Sequence, residues 1–274
     1  MARPGKLVRD APAYRKMAAI LFTRRNESAV YFEDAIDVTD TLPFIDAWNA
    51  EPGAPRLTLF SLLLFAVART LHEHPRLNRF VAGRKLYQRD GVWLSFAAKK
   101  SMSPEAPLVE VKREFPKDES LRDFLASQES RLREARSDED SKLDREVKLF
   151  LKIPHLLLIL FVRLVRVVDF WGLLPRSFIQ GDPFFASAFL ANLGSVGGAA
   201  AFHHLYEYGD IPLFAVLGRV RDEVVAVGGE AVVRKIARVR FSYDERIEDG
   251  FNAIRALATL RERLERPTTF VSPE

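Results

Sequence analysis

The stretch Leu57–Glu73 limits what this chain can fold into more than any other segment. It carries apolar side chains on almost every side and ends at His74 and Pro75, where a helix is expected to stop. A helix that is apolar all round has to be buried, because no face of it suits contact with water. The segment therefore predicts a core helix packed against a β-sheet.

Hydropathy patterns along the rest of the chain predict a mixture of helices and strands. Predicted helices are Tyr14–Arg25, a short one after Asp37–Thr41, Glu119–Arg136 and Ile247–Leu264. Predicted strands are a short one around Val30 and Phe32, Leu108–Phe115, Pro212–Val220, Glu223–Gly228 and Ala231–Tyr243. The elements lack the regular strand and helix alternation of a doubly wound fold, so we expect one α/β domain over residues 1–274 with a large mixed sheet.

Two further patterns concern local connections. Arg79–Gln88 and Val92–Lys99 flank the turn signal Arg89, Asp90 and Gly91, which predicts a hairpin. Pro183–Tyr206 has no Asp, Glu, Lys or Arg but contains several glycines, and it is interpreted as strand, turn and strand. Asp138–Glu146 is a run of charges that predicts a solvated link.

Composition excludes several classes of function. A chain of 274 residues with 48% hydrophobic and 28% charged residues can bury a sizeable core, so wholesale disorder is excluded. The absence of cysteine excludes disulfides, thiolate metal sites and a cysteine nucleophile. The 41 basic and 37 acidic side chains are scattered, so nucleic acid is not a favoured partner. We see no secretory signal pattern and expect a cytoplasmic protein.

The apolar segment Leu149–Leu174 leaves three interpretations open. Its uncharged part, Ile153–Val162, is shorter than the roughly 20 residues that span a bilayer. It could be a core helix, the wall of a hydrophobic acyl channel, or a surface for membrane or partner attachment. In the last case its arginines would reach past the apolar side chains to an interface.

Two motifs in the last third carry the specific signal. Ala191, Asn192, Leu193 and Gly194 lead to a pair of further glycines, and Ser242–Gly250 reads Ser-Tyr-Asp-Glu-Arg-Ile-Glu-Asp-Gly. These motifs resemble the Ser-Asn-Leu-Gly and Ser-Tyr-Asp-His-Arg-x-x-Asp-Gly sequences of dihydrolipoyl acyltransferases, the acyltransferase subunits of 2-oxoacid dehydrogenase complexes.

Weaker similarities lie in the first half, at Arg15–Ala18, Asp37–Thr39 and His74–Asn78. The resemblance implies the chloramphenicol acetyltransferase-like fold, a two-layer sandwich of a mixed β-sheet with helices. It also implies a trimer, within a larger shell in some relatives, whose active-site channel lies between subunits, and coenzyme A or acyl-CoA as substrate or ligand rather than a permanently bound cofactor. No segment resembles a lipoyl or subunit-binding domain.

Two departures from the motifs bear on catalysis. The family's general-base histidine is replaced by Glu245, and the serine that stabilises the tetrahedral oxyanion is replaced by Ala191. A carboxylate, with an ordinary pKa of about 4.3, is a poor proton acceptor from a thiol at about 8.5 unless burial raises it. Asp249 and Arg246 match the motif and are expected to serve loop geometry. The sequence therefore predicts a degenerate site, and a trimeric pseudoenzyme with a structural, assembly or ligand-binding role.

The alternative is an active acyl-CoA-dependent acyltransferase. In that case Glu245 or a nearby histidine, His203 or His204, would be the base and main-chain groups would replace the serine. Ordinary strand or loop residues are the commoner role for such histidines. His72, Glu73 and His74 do not converge on one helix face, and no metal site is expected.

Overall fold

The computed structural model describes residues 3–99, 108–137 and 152–271. Its α-helices are α1 (Ala13–Leu21), α2 (Thr41–Ala50), α3 (Leu59–Glu73), α4 (Leu121–Ser137), α5 (His155–Phe170), α6 (Arg176–Gly181) and α7 (Gly250–Glu265). Its strands are β1 (Gly5–Leu7), β2 (Ala29–Asp37), β3 (Arg79–Ala82), β4 (Lys85–Arg89), β5 (Trp93–Lys99), β6 (Leu108–Glu114), β7 (Ala188–Asn192), β8 (Leu213–Val227) and β9 (Glu230–Asp244). The charged run Asp138–Glu146 lies outside the described residues.

Six strands form one mixed sheet in the order β2-β9-β8-β7-β5-β6. Strand β7 runs parallel to β5 and β8, and the other neighbours are antiparallel. The remaining strands form a small antiparallel sheet in the order β1-β4-β3. The predicted fold class, a mixed sheet packed with helices, is confirmed.

Helix α3 is the buried element that its sequence predicts. Thr58 caps it by accepting a hydrogen bond from the Ser61 amide at 3.1 Å, and the Ser61 hydroxyl accepts one from the Thr58 amide at 2.8 Å. The helix then packs on the large sheet and against helix α7, and Leu62 and Leu64 are fully buried. Burial of each such side chain stabilises the fold by about 1.5–3 kcal/mol.

The opposite face of the sheet has a second apolar cluster, and strand β7 contributes side chains to both clusters. Ala188 and Leu190 join the core that contains α3, while Phe189 and Ala191 contact the second cluster. Successive side chains of a strand point to opposite faces, so this alternation follows from strand geometry. The loop 199–212 covers the second cluster with Leu205 and its neighbours.

The predicted hairpin between Arg79–Gln88 and Val92–Lys99 is wrong. Strands β3 and β4 already form a hairpin around Gly83 and Arg84, and β5 belongs to the large sheet. The Arg89–Gly91 turn instead leads the chain from one sheet to the other. Asn78 holds that turn, because its side-chain amide donates to the Gly91 carbonyl at 2.7 Å.

Two strand predictions need correction. Pro212–Val220 and Glu223–Gly228 are one strand, β8, whose pairing with β9 is irregular between Leu217 and Val220. Pro183–Tyr206 contains only the first of its two predicted strands, because residues 199–206 run as an irregular segment over the second apolar cluster.

Helix α1 places its apolar side outwards. Met17, Ile20 and Leu21 are about half exposed or more, whereas Arg15 is buried. Apolar periodicity shows which residues share one side of the helix, but the partners of Arg15 decide which side of the helix is buried.

Leu149–Leu174, described from Lys152 onwards, is not a core helix. Within α5 only Val165 is buried, and Leu156 and Leu164 are more than half exposed. No helix among the described residues is both long and apolar enough to cross a membrane. At the C-terminal end Phe270 stacks on Phe65 with ring centroids 5.9 Å apart, so this part of the tail packs on the chain's own core.

Lys112 on β6 supplies a pH-dependent contribution to stability. Burial lowers the pKa of Lys112 to about 8, and its ammonium donates to the carbonyls of Ile179 and Asp182 at 2.6 and 3.0 Å. The pKa is lower folded than unfolded, so the folded state disfavours the charged form below about pH 8. This unfavourable contribution to stability decreases as the pH rises towards about 10.5, the pKa of the lysine in the unfolded chain.

We therefore expect the stability of the natural protein, relative to Lys112→Met, to rise on the order of 2–3 kcal/mol between pH 8 and 10.5. Urea unfolding of both proteins across that range measures the difference. A difference that stays constant with pH contradicts the prediction.

Candidate active site

The first motif begins within strand β7, since Ala191 and Asn192 are the last two residues of that strand. Ala191 is partly buried against the second apolar cluster, and its methyl group cannot donate a hydrogen bond. The Asn192 side chain accepts from the Ser195 amide at 3.0 Å, and the Ser195 hydroxyl donates back to the Asn192 carbonyl at 2.9 Å. These bonds close a tight turn, and both side-chain groups are used within it.

The glycine of this motif is required by close backbone contact. A Cβ added at Gly194 would lie 2.6 Å from the Gly218 carbonyl oxygen and 2.9 Å from the Arg219 nitrogen. The turn is also bonded to β8, because the Leu193 amide donates to Leu217 at 2.9 Å. The glycine of the motif therefore allows this turn to pack closely on β8.

Gly194→Ala is expected to lower the free energy of unfolding by about 2–3 kcal/mol, since backbone atoms have to move to make room. Gly181→Ala is the matched control, because an added Cβ there meets nothing within 4 Å. Urea unfolding measures both. Equal stability of the two variants contradicts this account of the turn.

The second motif is a loop held by a buried ion pair. Arg246 donates to the two carboxylate oxygens of Asp244 at 2.8 and 2.6 Å, and both side chains are almost fully buried. Ser28 donates to the same carboxylate at 2.9 Å, and Arg246 reaches the Phe22 carbonyl at 2.7 Å. The motif arginine thus pairs with Asp244 and leaves Glu245 without it.

A second buried cluster, which sequence reasoning missed, supports the loop from the other side. Glu248 accepts from Arg15 at 3.0 Å and from Arg79 at 3.3 Å, and it also accepts the Asp249 amide at 3.1 Å. Glu248 and Arg15 are each 97% or more buried. A charged residue between Ile247 and Asp249 was the available signal, but its partners lie far away in the sequence.

Glu245 sits between these two clusters with its backbone fixed. Its amide donates to the Ser28 carbonyl at 2.9 Å, and its carbonyl accepts from Arg15 at 3.1 Å. Its side chain is exposed, and no donor or cation among the described residues hydrogen bonds or pairs with the carboxylate. In the single chain, the Glu245 carboxylate is therefore open to solvent.

Asp249 has a structural task in the single chain. Its side chain caps helix α7 by accepting the Asn252 amide at 3.0 Å, and it lies 3.5 Å from Arg15. A carboxylate at a helix N-terminus satisfies a free amide and interacts favourably with the helix dipole.

The two motif positions lie far apart within one chain. Ala191 pairs with Val216, and Val216 pairs with Arg240 on β9. Glu245 is five residues further along the chain than Arg240 and two strands away from β7. With about 3.3 Å per residue and 4.8 Å per strand, the two positions are roughly 19 Å apart. A single copy cannot bring both to one bond.

The histidines join the Ala191 side. His203 stacks on Phe214 with ring centroids 3.9 Å apart, and burial lowers the pKa of His203. Phe214 belongs to the same apolar cluster that Ala191 contacts. His204 is exposed, and its Nδ1 lies 3.1 Å from the Leu205 carbonyl. The structure thus brings His203, and not Glu245, to the cluster beside Ala191.

Comparisons with known proteins agree with this architecture. Residues 186–272 match the family model of the 2-oxoacid dehydrogenases acyltransferase catalytic domain, and this range holds both motifs. No curated protein sequence matches the chain. A probable dihydrolipoamide acetyltransferase from Listeria monocytogenes 4b F2365 superposes with a TM-score of 0.63 at 18% identity, covering 99% of this chain and 98% of its own. The chain has a dihydrolipoyl acyltransferase core fold.

Two further solved structures share this acyltransferase core fold, each at 22% identity over 96% of this chain and 93% of theirs. They are the cubic core of the pyruvate dehydrogenase multienzyme complex, with a TM-score of 0.62, and the Azotobacter vinelandii dihydrolipoamide acetyltransferase, at 0.61. In the Azotobacter enzyme a serine, a histidine and an asparagine four residues after the histidine were investigated for their catalytic roles. A chloramphenicol acetyltransferase has the fold as well. The resemblance predicted from the motifs is confirmed.

Proposed function

We propose that this protein is a pseudoenzyme of the acyltransferase core fold, with an assembly or ligand-binding role. The observation that carries the proposal is the state of Glu245. The loop around it is held by two buried ionic clusters, yet the residue it presents is an exposed carboxylate in place of a histidine. A well-held loop that presents a carboxylate in place of a histidine favours a role that depends on the fold rather than on catalysis.

The loss of both catalytic groups is large in energetic terms. A general base contributes about 10² to 10⁴ in rate, and one oxyanion donor about 10² to 10³. Ala191 supplies no donor at the second position. Glu245 and Asp249 are four residues apart, as are the histidine and asparagine of the Azotobacter enzyme, which supports placing Glu245 at the histidine position.

The test is coenzyme A release from acetyl-coenzyme A with dihydrolipoamide as acceptor. We expect the natural protein and Glu245→Ala to give the same background rate. Activity that disappears in Glu245→Ala would establish an enzyme with a substituted base. Binding of coenzyme A or acyl-CoA without turnover, measured by calorimetry, would support the ligand-binding role.

The second candidate is an active acyltransferase that uses a histidine. The observation in its favour is His203, because burial favours its neutral, proton-accepting form close to Ala191. His203→Phe keeps the stacked ring and removes the base. Acyl transfer in the natural protein that is lost in His203→Phe but kept in Glu245→Ala would establish this candidate.

We further propose that the chain works as a homotrimer. The roughly 19 Å between the motif positions fits a site completed by a neighbouring copy. Apolar side chains stand exposed beside both motifs: Val196 and Phe202 after the first are 59% and 46% exposed, and Phe251 and Ile254 after the second are 72% and 50% exposed. Exposed apolar patches of this kind are typical of surfaces that bind another protein.

Phe251→Asp is expected to convert the trimer into monomers, because it introduces a charge where a neighbouring copy would cover an apolar side chain. Light scattering should then fall from three times 31.1 kDa to 31.1 kDa. Leu108→Asp is the matched control, since Leu108 is 63% exposed on β6, at the opposite edge of the sheet from β2. A natural protein that is monomeric, or a Phe251→Asp variant that remains trimeric, contradicts the proposal.

A further inference from the structure

Helix α5 presents an apolar stripe to solvent. Leu156, Leu160 and Val167 follow one another at helical spacing and are 68%, 49% and 55% exposed, with Leu164 at 58% beside them. The opposite side, with Val165 and Val168, packs on a small cluster that includes Leu174 and Phe185. The helix is therefore seated on the protein by one narrow side and apolar on the side that faces away.

The surroundings of this stripe are cationic. Arg163 lies within it, Arg166 lies along its flank, and Lys152 and Arg176 stand exposed before and after the helix. Between residues 152 and 181 the only acidic residue is Asp169, and Arg3 neutralises it at 3.5 Å. Trp171, 69% exposed, ends the apolar surface.

A polar cavity of about 370 Å³ opens beside the helix. It lies between α5, the residues after α1 and the β3-β4 turn, and five arginines line it: Arg24, Arg25, Arg84, Arg166 and Arg246. Its two carboxylates are already engaged. Asp169 pairs with Arg3, and Glu207 accepts the amides of Arg25 and Asn26 at 3.2 and 3.1 Å.

Three of the lining arginines form no salt bridge among the described residues, although Glu27 lies close enough to Arg24 to interact with it electrostatically. Arg246 pairs with Asp244 and Arg25 donates to main-chain carbonyls, but Arg24, Arg84 and Arg166 form no ion pair there. The cavity therefore has unneutralised positive charge at the edge of an apolar surface.

Arg84 occupies a position that would suit another residue better. Its φ of +59° is left-handed, in a two-residue hairpin turn that favours glycine or asparagine. Its guanidinium donates to the Ile20 carbonyl at 2.7 Å and otherwise stands at the cavity. A strained residue at a site is a reason to look for a role for its side chain.

We infer that α5 lies on an anionic phospholipid membrane, and that Arg24, Arg84 and Arg166 bind the phosphate of a lipid headgroup in the adjacent cavity. Apolar side chains would enter the boundary between headgroups and acyl chains, and the arginines would reach the phosphates. Guanidinium groups bind phosphate through paired hydrogen bonds. Tryptophan at one end suits the same boundary.

A second copy of the chain fits this surface less well. A two-fold contact through α5 would bring the cationic stripe of one copy against that of the other, with no exposed acid on the helix to neutralise it. An anionic membrane supplies the missing charge, at about 1 kcal/mol for each arginine near the surface. This inference does not depend on whether the acyl-transfer site is active.

The test is co-sedimentation of the full chain with vesicles. We expect binding to vesicles of phosphatidylcholine with phosphatidylglycerol, little binding to phosphatidylcholine alone, and loss of binding at high salt. The double variant Arg84→Asn with Arg166→Gln should bind about 25-fold more weakly, about fivefold for each arginine. Arg219→Gln with Arg221→Gln changes the net charge equally on β8 and should bind as the natural protein does.

Leu160→Asn tests the apolar stripe. We expect about tenfold weaker binding to the anionic vesicles, while Leu108→Asn leaves it unchanged. Arg84→Asn suits a left-handed turn, and both leucines are exposed, so thermal melting should show folded variants. No binding to anionic vesicles, or equal binding by the double variant and its charge-matched control, overturns the proposal.

Two other outcomes also overturn it. If Leu160→Asn changes the mass of the protein in solution without vesicles, α5 is a contact between copies. The natural protein could instead bind inorganic phosphate or coenzyme A but not vesicles. If the double variant then loses this binding, the cavity takes a soluble phosphate ligand.

Discussion

The double variant Ala191→Ser with Glu245→His, which introduces the residues that dihydrolipoyl acyltransferases carry in the two motifs, is expected to raise coenzyme A release at least about 100-fold above the natural protein. The imidazole would supply a proton acceptor that titrates near neutral pH, and the hydroxyl would supply the oxyanion donor. The backbone at position 245 is fixed on both sides by Ser28 and Arg15, so the new side chain would be presented where the carboxylate now stands.

Acetyl-coenzyme A and dihydrolipoamide are the substrates for this measurement, and each single variant is its control. We expect Glu245→His alone to give a smaller gain and Ala191→Ser alone to give almost none, because proton removal from the thiol comes first. If the double variant binds coenzyme A and still fails to transfer, the loss lies outside these two positions. That result contradicts the description of a preserved scaffold.

Breaking the buried pair under the second motif is expected to have the largest effect on stability. Asp244→Asn leaves Arg246, only 4% exposed at its side chain, without a charged partner. Removal of one member of a buried pair typically costs about 3–5 kcal/mol, because the remaining charge stays buried and unpaired. Urea unfolding monitored by circular dichroism measures this cost.

Glu223→Gln is the matched control for that measurement. Glu223 also pairs with an arginine, Arg238, at 2.6 Å, but on the exposed part of β8 and β9. Exposed pairs contribute at most about 1 kcal/mol. Replacing both members of the buried pair, by Asp244→Asn with Arg246→Met, should recover part of the loss. A cost for Asp244→Asn no larger than the control's contradicts the assigned role of the pair.

The sequence predicted best those features of the site that depend on residues close together in the chain. The motif Ser242–Gly250 identified Glu245 as the changed position, and the glycines after Ala191 predicted a tight turn. Both signals depend on neighbours within a few residues. The same holds for α3, whose end follows from His74 and Pro75.

Features set by distant partners could not be predicted. The sequence of α1 does not show that Arg15 is buried, because the residue that neutralises it, Glu248, is 233 residues away. The predicted hairpin failed for a related reason. Local pattern shows that Arg89–Gly91 is a turn, but not that it connects two different sheets.

The fixed backbone at Glu245 has a practical consequence. The chain has no cysteine, so Glu245→Cys would create a single thiol at the centre of the second motif, on a loop that depends on main-chain bonds rather than on the side chain at that position. A spin label or fluorophore attached there would report directly on its surroundings. Solvent access to the label, measured with the protein dilute and concentrated, would show when another molecule covers this part of the surface.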